Sequence, residues 1–328
     1  MRVCLLTGPS PACNHLHRAA ATLDAESTIT STLALKDWPK LLETPPEARP
    51  DLVAIAAPVD ITALQAMTGA GLHLLLEAPP LEPRAAEDLA RTAKQSGSIL
   101  TIAWLDTAYP MARAGMTLLR DRKLGQVHSV CIEHLQPRTA STAGTHAVTT
   151  LAPSAECLLS TVTGLKLRAL CADAALNPAS RAHDDVGILL RFEGHTRGHM
   201  TLSRTAPHTS LALRVHGELA TLEWSSHSPS RLAFTPTGKP TQVWTPVHAE
   251  SGPLAGEAAR NTAGNEGATE ALANLYRAAL ESIRAKREGR ARKALGREFP
   301  TTTDLTRAAR FTAAALESTR AGGVWVEL

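Results

Sequence analysis

Short apolar runs alternate with helix-like segments through the first hundred residues of this 328-residue chain, and this alternation limits its possible folds most strongly. Strands are predicted at residues 3–7, 27–32, 51–57, 73–77 and 99–104. Helices are predicted between them, ending near residue 23 and spanning 61–70 and 83–95. Alternation at this spacing is typical of βαβ units. We therefore predict an α/β fold that begins with a Rossmann-like, doubly wound parallel sheet.

From residue 127 the pattern changes to strands that are separated by turns. These strands are predicted at 127–133, 166–172, 186–192, 198–203, 212–216 and 220–224. Two helices (268–286 and 303–321) and a strand at 324–327 close the chain, and 236–267 is predicted to be mostly loop. The pattern favours a C-terminal α+β domain with a large, mostly antiparallel sheet. We predict domains at 1–124 and 125–328, with the last helix a candidate to pack back on the first domain.

Composition excludes several classes of function. The net charge of +3 is too small to favour a nucleic-acid or anionic-membrane partner. The five cysteines are odd in number and include no CxxC pair, which argues against a disulfide framework or a zinc knuckle. No apolar run approaches the roughly 20 residues that span a bilayer, and no signal peptide is recognised. We predict a soluble, cytoplasmic protein.

A short apolar run at 71–76 ends in Glu77-Ala78-Pro79, before a helix-like segment. A parallel strand delivers polar groups to the carboxyl edge of a nucleotide-binding sheet in this way. The segment resembles the Glu-Lys-Pro motif of the Gfo/Idh/MocA family of NAD(P)-dependent oxidoreductases. The resemblance implies a lysine that positions substrate and assists proton transfer, but Ala78 stands in its place.

The resemblance extends over nearly the whole chain. Residues 51–58 look like the family's fourth strand. The resemblance implies that Pro58, which closes this strand, lies beside the nicotinamide ribose. Residues 214–224 resemble its second-domain sheet, and 270–277 and 300–304 resemble its closing helices. By family position, the cofactor-binding candidates are Gly8, Ser10, Pro58, Glu77 and Pro79.

The turn at residues 8–13 departs from a glycine-rich dinucleotide turn. Only Gly8 matches, since Ser10 and Cys13 stand where glycines are usual, and Pro9 and Pro11 lack N–H groups. The other interpretation is an ordinary helix start with Ser10 as N-cap.

The edge that should bind the adenosine ribose also departs from the family pattern. Residues 27–35 contain no acidic side chain for the ribose hydroxyls. Lys36 leaves a weaker alternative, recognition of a 2′-phosphate.

The positions that the resemblance assigns to catalysis are also changed. The family's histidine and aspartate fall on Ser154 and Cys157, and an upstream acidic position falls on Thr150. The usual asparagine and arginine correspond to Leu105 and Thr107. Neither Ser154 nor Cys157 is a general base near neutral pH without an activating partner.

Other titratable residues are the substitute candidates for acid–base chemistry. They are Asp106, His134 and His146, with Arg138 nearby, while His15 and His17 are candidates to meet a ligand's anionic groups. The ordinary interpretation of each histidine is a surface or hydrogen-bonded side chain. The histidines of the predicted sheet lack the spacing of metal ligands, so we predict no metal site.

Two main hypotheses for function remain open. The first is a degenerate member of the family, a pseudoenzyme without nicotinamide cofactor that serves as a non-redox binding or partner subunit. It would form a homo-oligomer or associate with a related active subunit, and bind a small polyol-like ligand. The alternative is an active oxidoreductase of a sugar, cyclitol or polyol that uses NAD or NADP with an unusual catalytic set. Non-redox catalysis in the same cleft is a third possibility.

Overall fold

The computed structural model describes residues 1–23, 27–77, 82–138, 145–245, 267–290 and 299–328. The chain forms two compact units. The first unit comprises Met1–Ala108 and Gly267–Arg307, and the second comprises Tyr109–Glu266 and Ala308–Leu328. The chain thus re-enters the first unit after leaving it, and the domain boundary after residue 124 stays a prediction.

The first unit contains a parallel sheet with strand order β2-β1-β3-β4-β5. Its strands are β1 (Arg2–Thr7), β2 (Thr28–Ala34), β3 (Leu52–Ala56), β4 (Leu74–Leu76) and β5 (Leu100–Ile102). Its helices are α1 (Pro11–Thr22), α2 (Pro39–Glu43), α3 (Ile61–Gly69), α4 (Pro83–Ser96) and α7 (Ala268–Arg287). Strands β3, β4 and β5 are buried at every position and apolar except for Thr101, as expected of a sheet that is covered on both faces.

The strand order places a topological switch point between β1 and β3. β2 follows β1 in the chain and pairs with the edge of β1 that is opposite β3. The chain connections therefore run in opposite directions from the point between β1 and β3. In open α/β sheets, ligands bind at the carboxyl ends of the strands beside such a point. The turn after β1 and the residues after β3 and β4 therefore define the region to search for a site.

The second unit contains a sheet of nine described strands with order β13-β12-β11-β10-β6-β9-β8-β7-β14. The strands are β6 (Val127–Pro137), β7 (Leu167–Asn177), β8 (Ala182–Phe192), β9 (Arg197–Ser203), β10 (Thr205–Gly217), β11 (Ala220–Ser225), β12 (Leu232–Pro236), β13 (Gln242–Trp244) and β14 (Trp325–Glu327). All neighbours are antiparallel except β6 and β9. The predicted fold class is therefore confirmed.

Helices of the second unit pack on this sheet. They are α5 (Pro110–Arg120), α6 (Ala147–Thr163) and most of α8 (Thr302–Arg320). Alternate residues of β8 are buried, which is the period of a strand with one face on a core. Helix α6 lies against β6, β8 and β9. Among the described residues, no helix combines the length and apolar character needed to cross a membrane.

Candidate functional site

The turn after β1 is held by its own chain. The N–H of Gly8 donates to Asn14 Oδ1 at 3.1 Å, and Asn14 Nδ2 donates to the Gly8 carbonyl at 2.9 Å. A Cβ added at Gly8 would lie 2.2 Å from the Cβ of Ala57, just after β3. Close packing of the turn against β3 is therefore sufficient to explain this glycine.

Gly8→Ala is expected to lower the free energy of unfolding by about 2–3 kcal/mol, because the added methyl overlaps the buried side chain of Ala57. Urea denaturation followed by circular dichroism measures this loss. Gly187→Ala is the matched control, since a Cβ at Gly187 meets no atom within 4 Å. Equal unfolding midpoints for the two variants would contradict the packing role.

The start of α1 matches the ordinary helix-start interpretation. Ser10 is the N-cap, its Oγ accepts from the Cys13 N–H at 3.3 Å, and Pro11 begins the helix. The Ser10 carbonyl accepts from the Asn14 N–H at 3.1 Å. A pyrophosphate needs backbone N–H groups at such a turn. Here Pro9 and Pro11 have none to offer, and those of Gly8 and Cys13 already donate to side chains.

The edge that would hold an adenosine ribose has no acidic residue next to the strand. Strand β2 ends at Ala34, and a 3-10 turn follows at Leu35–Asp37. The Asp37 carboxylate forms an ion pair with Lys40 at 3.1 Å, one turn further on. Together with the turn after β1, this edge departs from the usual dinucleotide-binding pattern. That the chain binds no nicotinamide cofactor stays a prediction.

The carboxyl edge of the sheet brings Glu77 into contact with α1. The Cys13 thiol donates to Glu77 Oε1 at 2.6 Å. Since β3 lies between β1 and β4, this hydrogen bond reaches across the carboxyl end of β3. Pro58 is exposed after β3, and Ala78 and Pro79 lie outside the described residues. The cofactor-binding roles of Gly8, Ser10, Pro58, Glu77 and Pro79 stay predictions.

His17 joins this contact from the next turn of α1. Ligand atoms of Cys13, His17 and Glu77 all lie within 4.8 Å of one another, and we call these three residues the Cys13 cluster. His17 Nδ1 lies 2.9 Å from the Tyr276 hydroxyl on α7, with the two rings edge to face. His17 and Tyr276 are 1% and 0% exposed, so close packing holds the Tyr276 hydroxyl next to the His17 ring.

Burial determines the protonation of the Cys13 cluster. It raises the pKa of the Cys13 thiol to about 12, helped by the hydrogen bond and the negative charge of Glu77. It lowers the pKa of His17 to about 4 and raises that of the Tyr276 phenol. Near neutral pH the cluster therefore contains a protonated thiol and an uncharged imidazole.

In the second unit, His134 is buried between β6 and α6. Its Nδ1 donates to the Leu151 carbonyl at 2.9 Å, and its Nε2 lies 3.3 Å from Gln136 Nε2. Ser154 Oγ lies 3.3 Å from the same Nδ1. Because that nitrogen already carries a proton for Leu151, it cannot take one from Ser154. Burial also lowers the pKa of His134, although the Leu151 contact opposes the shift.

The remaining catalytic positions of the family are held in local contacts. Cys157 is 0% exposed, and its sulfur lies 3.8 Å from Thr161 Oγ1. Thr150 Oγ1 donates to the Ala147 carbonyl, and buried Thr107 donates to the Trp104 carbonyl. These contacts are those of structural side chains.

His146 is the N-cap of α6. Its Nδ1 accepts from the Val148 N–H at 3.2 Å, and its ring packs on that of His183 with centroids 4.7 Å apart. Burial lowers the pKa of His146 to about 4, with contributions from His183, Arg320 and Arg204. A neutral ring with a capping role explains this position.

Asp106 lies in the 3-10 turn Leu105–Ala108 of the first unit. Burial raises its pKa to about 6, while its own backbone N–H opposes the shift. A carboxyl with this pKa is a possible general acid or base. The catalytic roles of Asp106, His134 and His146 stay predictions.

A buried carboxylate that sequence reasoning missed lies in β8. Asp184 is 0% exposed, and its Oδ2 accepts from Arg138, Asn177 and Ser180 at 3.0, 3.1 and 2.6 Å. Arg204, 1% exposed, donates through Nη1 to the Thr145 carbonyl, and the charge of Asp184 favours its cationic form. These residues form a polar network around a buried carboxylate in the second unit.

A cavity of about 620 Å³ opens on the sheet of the second unit. Cys131 and Glu133 of β6, His199 of β9, and the ion-paired Arg214 and Glu223 line part of it. The Arg214–Glu223 pair, 2.8 Å apart, leaves this surface polar and half-exposed.

A Rossmann-like sheet followed by a large mixed sheet is the architecture that the family resemblance implies. Residues 113–223 match the family model of the GFO/IDH/MocA C-terminal domain. The match lies within the second unit, and over these residues the resemblance predicted from the sequence is confirmed. That the chain is a degenerate member stays a prediction.

Solved structures with the same fold cover nearly the whole chain. An inositol dehydrogenase homologue from Azotobacter vinelandii, in complex with NADH and myo-inositol, has a TM-score of 0.89 and 21% identity, covering 100% of this chain and 97% of that chain. An oxidoreductase from Sinorhizobium meliloti has a TM-score of 0.88 and 24% identity, covering 99% of both chains. Levoglucosan dehydrogenase with NADH and levoglucosan has a TM-score of 0.80 and 16% identity, covering 100% and 99%. No curated protein sequence gives a significant match.

Proposed function

We propose that this chain keeps the dehydrogenase fold without hydride-transfer chemistry and serves as a non-redox binding or partner subunit. The observation that carries the proposal is the turn after β1. Two prolines and two internally bonded N–H groups occupy four of its six positions, 8–13. To gain the Gly8 N–H as a donor, a pyrophosphate would have to displace the Asn14 side chain.

The second unit supports the same proposal. A dehydrogenase of this kind needs a group that exchanges a proton with the substrate hydroxyl. Ser154 Oγ donates to the Leu151 carbonyl and lies near the His134 nitrogen that donates to the same carbonyl, and Cys157 is buried. Removing a general base typically costs about 10²–10⁴ in rate.

The proposed ligand is a small polyol, and the proposed partner is a second copy or a related active subunit. The polyol class rests on the neighbouring structures, which hold myo-inositol or levoglucosan. The partner role rests on the open sheet of the second unit with its polar cavity. A cytoplasmic location stays part of the proposal.

Calorimetric titration with NAD(H) and NADP(H) tests the proposal. We expect no binding with a Kd below about 1 mM, a free energy of roughly −4 kcal/mol. We expect myo-inositol to bind without any nucleotide present. Micromolar binding of either nucleotide would overturn the proposal, whatever the polyol result.

A rebuilt turn provides the matched control. Ser10→Gly and Cys13→Gly together restore the glycine positions, and Asn14→Ala releases the Gly8 N–H. Nucleotide binding by this triple variant but not by the native chain would assign the loss to the turn. If neither the native chain nor the triple variant binds nucleotide, the edge after β2 that would hold the adenosine ribose is the next position to rebuild.

The second candidate function is an active NAD(P)-dependent oxidoreductase of a sugar or polyol. Two observations favour it: the NADH-bound neighbours span the whole chain, and the pKa of Asp106 near 6 suits acid–base work. Production of NADH or NADPH from myo-inositol or levoglucosan, followed at 340 nm, tests it directly. Asp106→Asn would then abolish the activity.

A further inference from the structure

The Cys13 cluster combines three types of metal ligand at the carboxyl edge of the sheet. A thiol, an imidazole and a carboxylate converge, with ligand atoms within 4.8 Å of one another. The cluster is partly open, because Cys13 and Glu77 are half-buried while His17 is buried. It lies across the carboxyl end of β3, beside the switch point where open α/β sheets bind ligands.

We propose that Cys13, His17 and Glu77 form a binding site for a divalent zinc-like cation. Zinc takes cysteine sulfur, histidine nitrogen and carboxylate oxygen at about 2.0–2.3 Å, so ligand atoms a few ångströms apart need only small side-chain movements. Three protein ligands leave a fourth position for water or a ligand oxygen. The proposal departs from the sequence prediction of no metal site, and it does not depend on the proposed function.

Tyr276 strengthens the assignment of His17 as a ligand. Its hydroxyl lies 2.9 Å from His17 Nδ1 and limits how far the imidazole can turn. Metal-bound histidines usually have such an outer partner.

Binding exchanges one set of contacts at Cys13 for another. In the present structure the Cys13 thiol donates a hydrogen bond to Glu77 Oε1. The cation would form bonds to Sγ and to the Glu77 carboxylate, and the thiol proton would leave to solvent. Because the thiol is the donor in that hydrogen bond, its proton is released when the cation binds, and this release is measurable.

Titration of the chelator-treated, full-length protein with Zn²⁺ and Co²⁺ tests the site. We expect one tight ion per chain, release of about one proton per ion in calorimetry, and thiolate-to-Co²⁺ charge-transfer absorption. Tyr276→Phe should weaken binding about 10- to 100-fold, as loss of an outer partner does. Cys13→Ser and Glu77→Gln should each weaken it by more than Tyr276→Phe.

Matched controls are available in the same chain. Cys131→Ser removes a half-buried thiol of the second unit, and His15→Gln removes an exposed histidine of α1. Neither should change the affinity or the cobalt spectrum. Circular dichroism of each variant without metal verifies folding, and Glu77→Gln keeps a hydrogen-bonding group if Cys13→Ser folds poorly. Absence of tight binding, or binding that survives Cys13→Ser or Glu77→Gln, would overturn the proposal.

Discussion

Asp184→Asn is expected to lower the free energy of unfolding by about 2–3 kcal/mol, because it removes a buried, hydrogen-bonded carboxylate whose ion-pair partner Arg138 is 42% exposed. The carboxylate is fully buried and accepts three hydrogen bonds through Oδ2. It also supplies the negative charge that favours the cation of Arg204, which is 1% exposed. Asparagine keeps the shape of the side chain but removes this charge, so the buried guanidinium of Arg204 would lose a negative charge that compensates it.

Urea unfolding at pH 7.5 measures the loss, and Asp185→Asn is the matched control. Asp185 is the next residue of β8, is exposed, and accepts from the hydroxyls of Ser203 and Thr205. Its replacement should cost about 1 kcal/mol or less. If Asp184→Asn costs no more than Asp185→Asn, Asp184 does not hold the polar network together.

The parallel sheet could be predicted because β3 and β4 are wholly apolar and helices separate the strands. Strands β12 and β13 were missed, although the rest of the second sheet was predicted. In β12 only Leu232 is buried, and no residue of the three-residue β13 is buried. Short, poorly buried strands like these are formed by pairing with their neighbours, so their own sequences carry almost no periodic signal.

Asp184 did carry a signal that sequence reasoning passed over. It stands between Ala182 and Val186 at the strand period, so it shares their buried face. A charged residue at an inward position requires a partner. Its partner Arg138 is 46 positions away, which the local pattern does not show.

The Cys13 cluster was only half visible in the sequence. Cys13 and His17 are four residues apart on a predicted helix, which places them on one face. Glu77 is 64 positions from Cys13, and Tyr276 is 259 positions from His17. Only the order of strands in the sheet, with β3 between β1 and β4, brings the carboxylate to the thiol.

The stability of the native chain is expected to fall between pH 7.5 and pH 5, and His17 should account for about 2 kcal/mol of that loss. Its pKa is about 4 in the folded state against 6.5 ordinarily, because the ring is buried. The unfolded chain therefore binds more protons between these values. The stabilisation is fully present above about pH 6.5 and disappears as the pH falls toward 4.

Unfolding free energies of the native chain and of His17→Gln, measured with chelator at pH 7.5 and pH 5, isolate this contribution. His73 and His146 also have pKa values lowered to about 4, while the raised pKa of Asp106 acts in the opposite direction. Those effects are common to both proteins, so the difference between them reports His17. His15→Gln, an exposed change on the same helix, should retain the full native pH dependence. An equal pH dependence in His17→Gln and the native chain would mean that His17 becomes protonated as readily in the folded state as in the unfolded state.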